Sequence, residues 1–171
     1  NSGMLKVFLT IEYIAKSYID IYDSSVISNS RTPFQNIVET LDGEMLYGNP
    51  EESVQSGKCL IAAANPDLME SYIEEDDIVI LGNRYESQLC AIEMGAKCII
   101  VCDGAKVSFT IGRLAENRNC FIIQTPYDTF TVSRLINQSI PIGYFMKREK
   151  LITFGLGEAL DDIRDTMAKK R

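Results

Sequence analysis

The chain is predicted to be an α/β protein built on a mostly parallel sheet with helices on both faces. Three observations carry that prediction. "KCLIAAA", "DDIVILG", "AKCIIVCDG" and "CFIIQTP" are short apolar runs, each followed by an amphipathic stretch of roughly ten residues. These runs lack clean apolar–polar alternation, which is the pattern of parallel strands covered on both sides. Turn and cap residues stand at the handovers: Asn65-Pro66, Gly82-Asn83, Asp103-Gly104 and Thr125-Pro126.

Taken in order, "MLKVFLT" at 4–10 reads as a strand. "IEYIAKSYIDIYD" reads as a helix with Ile11, Ile14, Ala15, Tyr18, Ile19 and Tyr22 along one stripe. In "SNSRTPFQNIVETLDGE" the expected N-cap is Thr32, with Pro33 at the first helical position and Gln35 completing a capping box. Phe34, Ile37, Val38 and Leu41 form its buried stripe, and Asp42-Gly43 ends it. "EMLYG" is expected as an edge strand before the polar turn "NPEESVQSG". The strand at 59–64 passes through the Asn65 cap and Pro66 into "DLMESYIEE", and the strand at 78–81 leads into "YESQLCAIEMG". The strand at 98–102 leads into "FTIGRLAENRN". "CFIIQ" leads into "YDTFTVSRLINQS", opened by a second capping box at 125–128, and a strand at "IPIGYFM" is expected to close the unit. In the last stretch Leu160, Ile163 and Met167 fall at helical spacing. The outermost elements bury little by themselves and read as pieces of neighbouring domains. The opening "NSGM" reads as a tag scar before Met4, so the natural protein is expected to extend further.

Composition narrows the functional classes. The 171 residues carry 24 acidic and 17 basic side chains, a net charge of −7, which disfavours non-specific nucleic-acid binding. No run approaches the length of a membrane span and nothing resembles a signal peptide, so a cytoplasmic protein is expected. There is no histidine, which excludes Ser-His-Asp and Cys-His machinery and histidine-containing metal sites. The five cysteines are Cys59, Cys90, Cys98, Cys102 and Cys120. Cys98 and Cys102 share a strand face roughly 13 Å apart, too far for a disulfide, and all five read as buried thiols in a reducing compartment. Carboxylates cluster at 74–77 and at Asp161, Asp162 and Asp165 without a convergent third ligand, and Gly155-Leu156-Gly157 lacks the lysine of a phosphate loop. No catalytic residue and no metal ligand is assigned. Tyr13, Tyr18 and Tyr22 suit a half-wet contact with a partner chain.

In open parallel sheets, ligands collect past the carboxyl ends of the strands. The candidate positions there are Asn83, Arg84, Asp103, Gly104, Thr125 and Asp128. Arg84, a five-donor fork beside a glycine, has three readings: an anion ligand, a salt bridge to Asp103 or Asp128, or a subunit contact.

The segments "GNRYESQLCAIEMGAKCIIVCDG" and "IIQTPYDTFTVSRLINQSIPIGYFM" resemble the DRTGG domain, over residues 42–146. Upstream, 1–23 looks like the closing strand and helix of a CBS domain, followed by a linker helix at 24–41. Downstream, 147–171 with "DIRDTM" looks like the opening of a second CBS domain. That order resembles the regulatory insert of manganese-dependent, DHH-family inorganic pyrophosphatases. The resemblance implies a non-catalytic regulatory and oligomerising segment, a homodimer, of an enzyme whose separate catalytic domains hold manganese or cobalt. It implies adenine nucleotides or diadenosine polyphosphates as regulators of a complete CBS pair. Thr10 fits the phosphate-side hydroxyl of such a site, whereas Tyr13 stands where a ribose-binding aspartate is common. With both CBS domains partial, little nucleotide affinity is expected of this chain. The chain has Asn83-Arg84 where the family pattern favours Asp-Arg, and Cys102-Asp103-Gly104 where it favours Thr-Gly-Gly; Asp103 would repel anions from that loop. The alternative is a small-molecule-binding α/β module of another DRTGG or CBS protein, such as a transcriptional regulator or a phosphotransacetylase-like enzyme.

Overall fold

The structure, a computed structural model, describes residues 24–144 together with residues 159, 161, 162, 164 and 165. The expected strand at 4–10, the helix after it, Thr10, the aromatic stripe of Tyr13, Tyr18 and Tyr22, and Gly155–Gly157 lie outside the described residues.

Among the described residues two short helices come first, α1 (Val26–Asn29) and α2 (Phe34–Thr40), then the strand β1 (Glu44–Tyr47). Four strand–helix units follow: β2 (Cys59–Ile61) with α3 (Pro66–Met69), β3 (Ile78–Leu81) with α4 (Tyr85–Glu93), β4 (Cys98–Val101) with α5 (Phe109–Arg118), and β5 (Phe121–Gln124) with α6 (Thr129–Leu135). The sheet order is β1-β5-β4-β3-β2, with β2 to β5 parallel and β1 antiparallel on β5. The α/β class and the edge strand are as the sequence indicates.

The continuous apolar runs have a direct explanation. Ile78, Ile80, Cys98, Ile100, Phe121 and Ile123 face one side, against Ile27, Phe34, Ile37, Leu41 and Val132 from α1, α2, α6 and the α2 C-cap. Val79, Leu81, Ile99, Val101 and Ile122 face the other, against Met69, Ala91, Ile92, Ile111 and Ala115 from α3, α4 and α5. Each fully buried Ile or Phe of these layers contributes about 1.5–3 kcal/mol. Cys98 and Cys102 do share one face. The segment expected as a linker supplies Phe34, Ile37 and Leu41, all at 0% exposure, to the first layer.

The strands β2 to β5 step across the sheet in sequence, so right-handed crossovers leave α3, α4 and α5 on a single face. Only after β5 does the chain turn to the opposite face with α6.

Three local expectations are corrected. Thr32 does not cap α2, whose N-cap is Pro33 with no side-chain bond. Instead the amides of Phe34 and Gln35 donate to the carbonyls of Glu52 (2.9 Å) and Pro50 (2.8 Å), while Thr32 is buried and bonded to the Ser30 hydroxyl at 2.7 Å. Gln35 donates to Glu39 rather than back to the helix start. Residues 142–144 form a 3-10 turn rather than a strand. Pro141 withholds the amide that a ladder needs there.

Candidate functional site

The rim at the carboxyl ends of β2 to β5 gathers every described candidate residue. Its loops differ in how far their polar groups are already used.

Between β4 and β5 the rim is closed. Asp103 and Gly104 take left-handed φ values of 60° and 58°. Aspartate tolerates that conformation better than most side chains, which explains how it stands in this turn. A Cβ added at Gly104 meets nothing within 4 Å, so glycine is needed there for its dihedral freedom rather than for space. The turned backbone is already bonded: the Asp103 amide donates to Tyr127 (2.9 Å), Gly104 to Thr125 (2.8 Å) and Ala105 to Cys102 (3.1 Å). Gln124 Nε2 donates to the carbonyls of Gly104 (3.3 Å) and Ala105 (2.7 Å). No amide of this turn remains for an anion.

Thr125 and Asp128 are structural in their contacts. Thr125 is fully buried, donates its hydroxyl to Leu41 O at 2.7 Å and accepts from the Tyr127 amide at 3.2 Å. It ties β5 to the end of α2. The expected capping box at 125–128 is therefore corrected: Asp128, not Thr125, caps α6. Its Oδ1 accepts from Phe130 (2.9 Å) and Thr131 (3.0 Å), and its Oδ2 from the Thr131 hydroxyl (2.7 Å). The Thr131 hydroxyl and amide bonds hold this carboxyl below the ordinary carboxylate range.

The other loop is open. Asn83 and Arg84 are exposed after β3, and Arg84 is the N-cap of α4 with no side-chain bond. Among the described residues Arg84 pairs with neither Asp103 nor Asp128; the ion pairs are Lys58–Glu74, Lys97–Glu52 and Arg113–Glu116. Asn83 and Arg84, with Ala62, Ala63, Gly82 and Ser87, line a depression of about 210 Å³. Ser87 was not singled out from the sequence. Its signal was register: it lies four residues before buried Ala91 on the sheet-facing side of α4.

The chemistry available is limited. Burial pushes Cys59, Cys102 and Cys120 up to about 12 and raises Cys90 and Cys98, so these thiols stay protonated near neutral pH. Among the described residues no group of three or more Cys, Asp or Glu side chains converges to hold a metal, and Asp161, Asp162 and Asp165 are exposed. No described helix is long and apolar enough to cross a membrane.

The buried, mostly parallel sheet with helices on both faces and a partly closed rim defines an α/β domain. More specifically, the sequence profile of the DRTGG domain matches residues 36–139, and the chain belongs to that family. It is 37% identical over 163 residues, 95% of its length, to a cobalt-dependent inorganic pyrophosphatase of Clostridium perfringens, of which it covers 30%. It is 28% identical over 157 residues to a probable manganese-dependent inorganic pyrophosphatase of Thermotoga maritima, covering 92% of this chain and 28% of that protein. The chain thus spans under a third of the length of these two relatives. An uncharacterized Bacillus subtilis protein, YtoI, is 33% identical over 107 residues, 63% of this chain and 24% of YtoI.

Among solved structures, the fold is similar to the CBS and DRTGG domains of the regulatory region of the Clostridium perfringens pyrophosphatase, determined with its activator diadenosine tetraphosphate. The TM-score is 0.80 at 36% identity, covering 94% of this chain and 70% of that one. The chain is a DRTGG and CBS-like regulatory module related to that region.

Proposed function

We propose that this chain is the non-catalytic regulatory and association segment of a metal-dependent inorganic pyrophosphatase. The catalytic domains, with manganese or cobalt, would lie outside it. The observation that carries this reading is the match to a pyrophosphatase regulatory region along 94% of the chain at a TM-score of 0.80. In this reading residues 1–23 and 147–171 are CBS-type elements that, once completed, hold adenine nucleotides or diadenosine polyphosphates. The packing of Phe34, Ile37 and Leu41 into the sheet supports counting 24–41 with the central unit rather than as a linker.

The segment would act as a homodimer. Phe109 is 78% and Phe130 67% exposed, at the starts of the helices after β4 and β5. Each leaves roughly 150 Å² of apolar surface in water, surface of the kind that a partner chain covers. Asp103, Lys106, Asp128 and Arg134 stand on the same stretch of chain, the mixture of signs that a two-fold contact pairs with itself.

Replacing the matching segment of the Clostridium perfringens pyrophosphatase with this chain tests the regulatory reading. The hybrid should hydrolyse diphosphate and respond to diadenosine tetraphosphate; hydrolysis without any response would overturn it. Light scattering tests the assembly. The chain should be dimeric and Phe109→Ser with Phe130→Ser monomeric, whereas a monomer at every concentration would remove the association role.

A further inference from the structure

We propose that the depression at the carboxyl ends of β2 and β3 binds a small oxyanion of the phosphate class. Its ligands would be Arg84, Asn83, Ser87 and the first amides of α4. This inference is independent of the pyrophosphatase reading.

The start of α4 is the exception among the helices that follow a strand. Asn65 caps α3 by accepting from Leu68, Ser108 caps α5 by accepting from Ile111, and Asp128 caps α6. The nine-residue α4 has Arg84 at its N-cap and no side-chain acceptor. Among the described residues the amides of Tyr85, Glu86 and Ser87 donate to no protein group. A cation at the positive end of a helix is unfavourable, and an anion between the two reverses the sign of that interaction.

Ser87 is the independent observation. It is 4% exposed, yet its hydroxyl has no hydrogen-bond partner among the described residues. The buried Ser28 and Ser139 behave differently, donating to the carbonyls of Ser25 and Ile136. No fully occluded side-chain oxygen is left unpaired in the described structure, so the Ser87 hydroxyl keeps access to the depression that it lines. An unpaired hydroxyl, a free guanidinium and an exposed amide side chain border one small space, and the undonated amides of the first turn of α4 follow directly on Arg84 in the chain. Glu86, in the same first turn, is exposed and does not line it.

Size sets the ligand class. The volume of about 210 Å³ lies below the roughly 300 Å³ at which pockets enclose drug-sized ligands. Ala62, Ala63 and Gly82 keep the floor shallow enough for close approach to backbone. A phosphate group fits these donors; a whole nucleotide would leave its base outside.

The test is a titration of the 171-residue chain with sodium phosphate, followed in amide correlation spectra at fixed ionic strength with chloride as control. Saturable shifts should appear at Tyr85, Glu86 and Ser87. Arg84→Gln should weaken them about tenfold, the loss of one charge-assisted contact, and Ser87→Ala by a smaller factor. Pyrophosphate and AMP identify the source: tighter binding by either, at the same amides, assigns the site to a linked or nucleotide phosphate rather than free phosphate. Absent shifts with all three anions, equal shifts with chloride, or an unchanged response in folded Arg84→Gln would overturn the proposal.

Discussion

At the amino ends of the parallel strands, polar groups are tied to one another. Asp77 is fully buried and accepts the amides of Lys58 (2.7 Å) and Glu74 (2.9 Å). Its carbonyl receives the Lys97 amide at 2.9 Å, and Lys97 O in turn receives Phe121 N at 2.7 Å. The Lys97 ammonium lies 2.8 Å from Glu52 and 4.1 Å from the centre of the Phe121 ring. At the carboxyl ends the turn after β4 is tied in the same way, but the loop after β3 is not. Ile61, Leu68, Tyr85, Phe109 and Phe130 are exposed there, and Arg84 and Ser87 stand unpaired among the described residues. One end of the sheet is finished as structure; the other still has bonding capacity. Surface that folding has left incomplete is where a partner or ligand adds the most.

Substitutions separate the two ends, from large effects to small. Asp77→Ala leaves two part-buried amides without their acceptor and should cost about 3 kcal/mol in chemical denaturation. A loss below about 1 kcal/mol would show that water replaces the carboxylate and that the amino end is not locked. Thr125→Val, in the closed part of the carboxyl rim, keeps the shape but removes the bond to Leu41 O, with an expected loss of about 1–2 kcal/mol. Lys97→Met keeps the contact with Phe121 and loses the charge, so about 1 kcal/mol, reduced in high salt, is expected. Arg84→Gln, on the other end, should leave unfolding unchanged within about 0.5 kcal/mol. A larger change would make Arg84 a structural residue and blur the contrast.

Asp128 gives the smallest effect and a defined pH sign. Its folded carboxyl sits below the ordinary value of 3.8, so its stabilising contribution is present above the unfolded value and lost as acid protonates the folded group. Asp128→Asn should therefore show less acid sensitivity below about pH 4 while retaining most of the cap. Equal acid curves for the two proteins would deny the carboxylate this role.

What was legible in the sequence depended on the range of the interaction. Strands β3 and β4, "IVIL" and "CIIV", declared burial on both faces through uninterrupted apolar composition. The Asn65-Pro66 helix start was also legible, because its hydrogen bond closes within three residues. Thr32 and Thr125 carried the same local signature but took other partners. The amides of α2 met carbonyls from residues 50 and 52, and Thr125 reached a carbonyl 84 positions away. No local pattern encodes such contacts. Arg84 was visible because charge beside glycine at a strand end is conspicuous. Ser87 carries no such signal, because its significance is a bond it does not make.

The face chosen by α6 has a consequence for how such a unit is inherited. By leaving α3, α4 and α5 on one side and turning to the other, the chain brings the 3-10 turn Ile136–Ser139 against α1. Ser24 and Asn137 border the same depression beside β2. The first described residue and the 3-10 turn after α6 therefore border one depression. The nearer a unit's entry and exit lie, the less a host loop must be prised apart to accept it. Such a cassette can be gained, lost or exchanged between hosts without redesigning either partner.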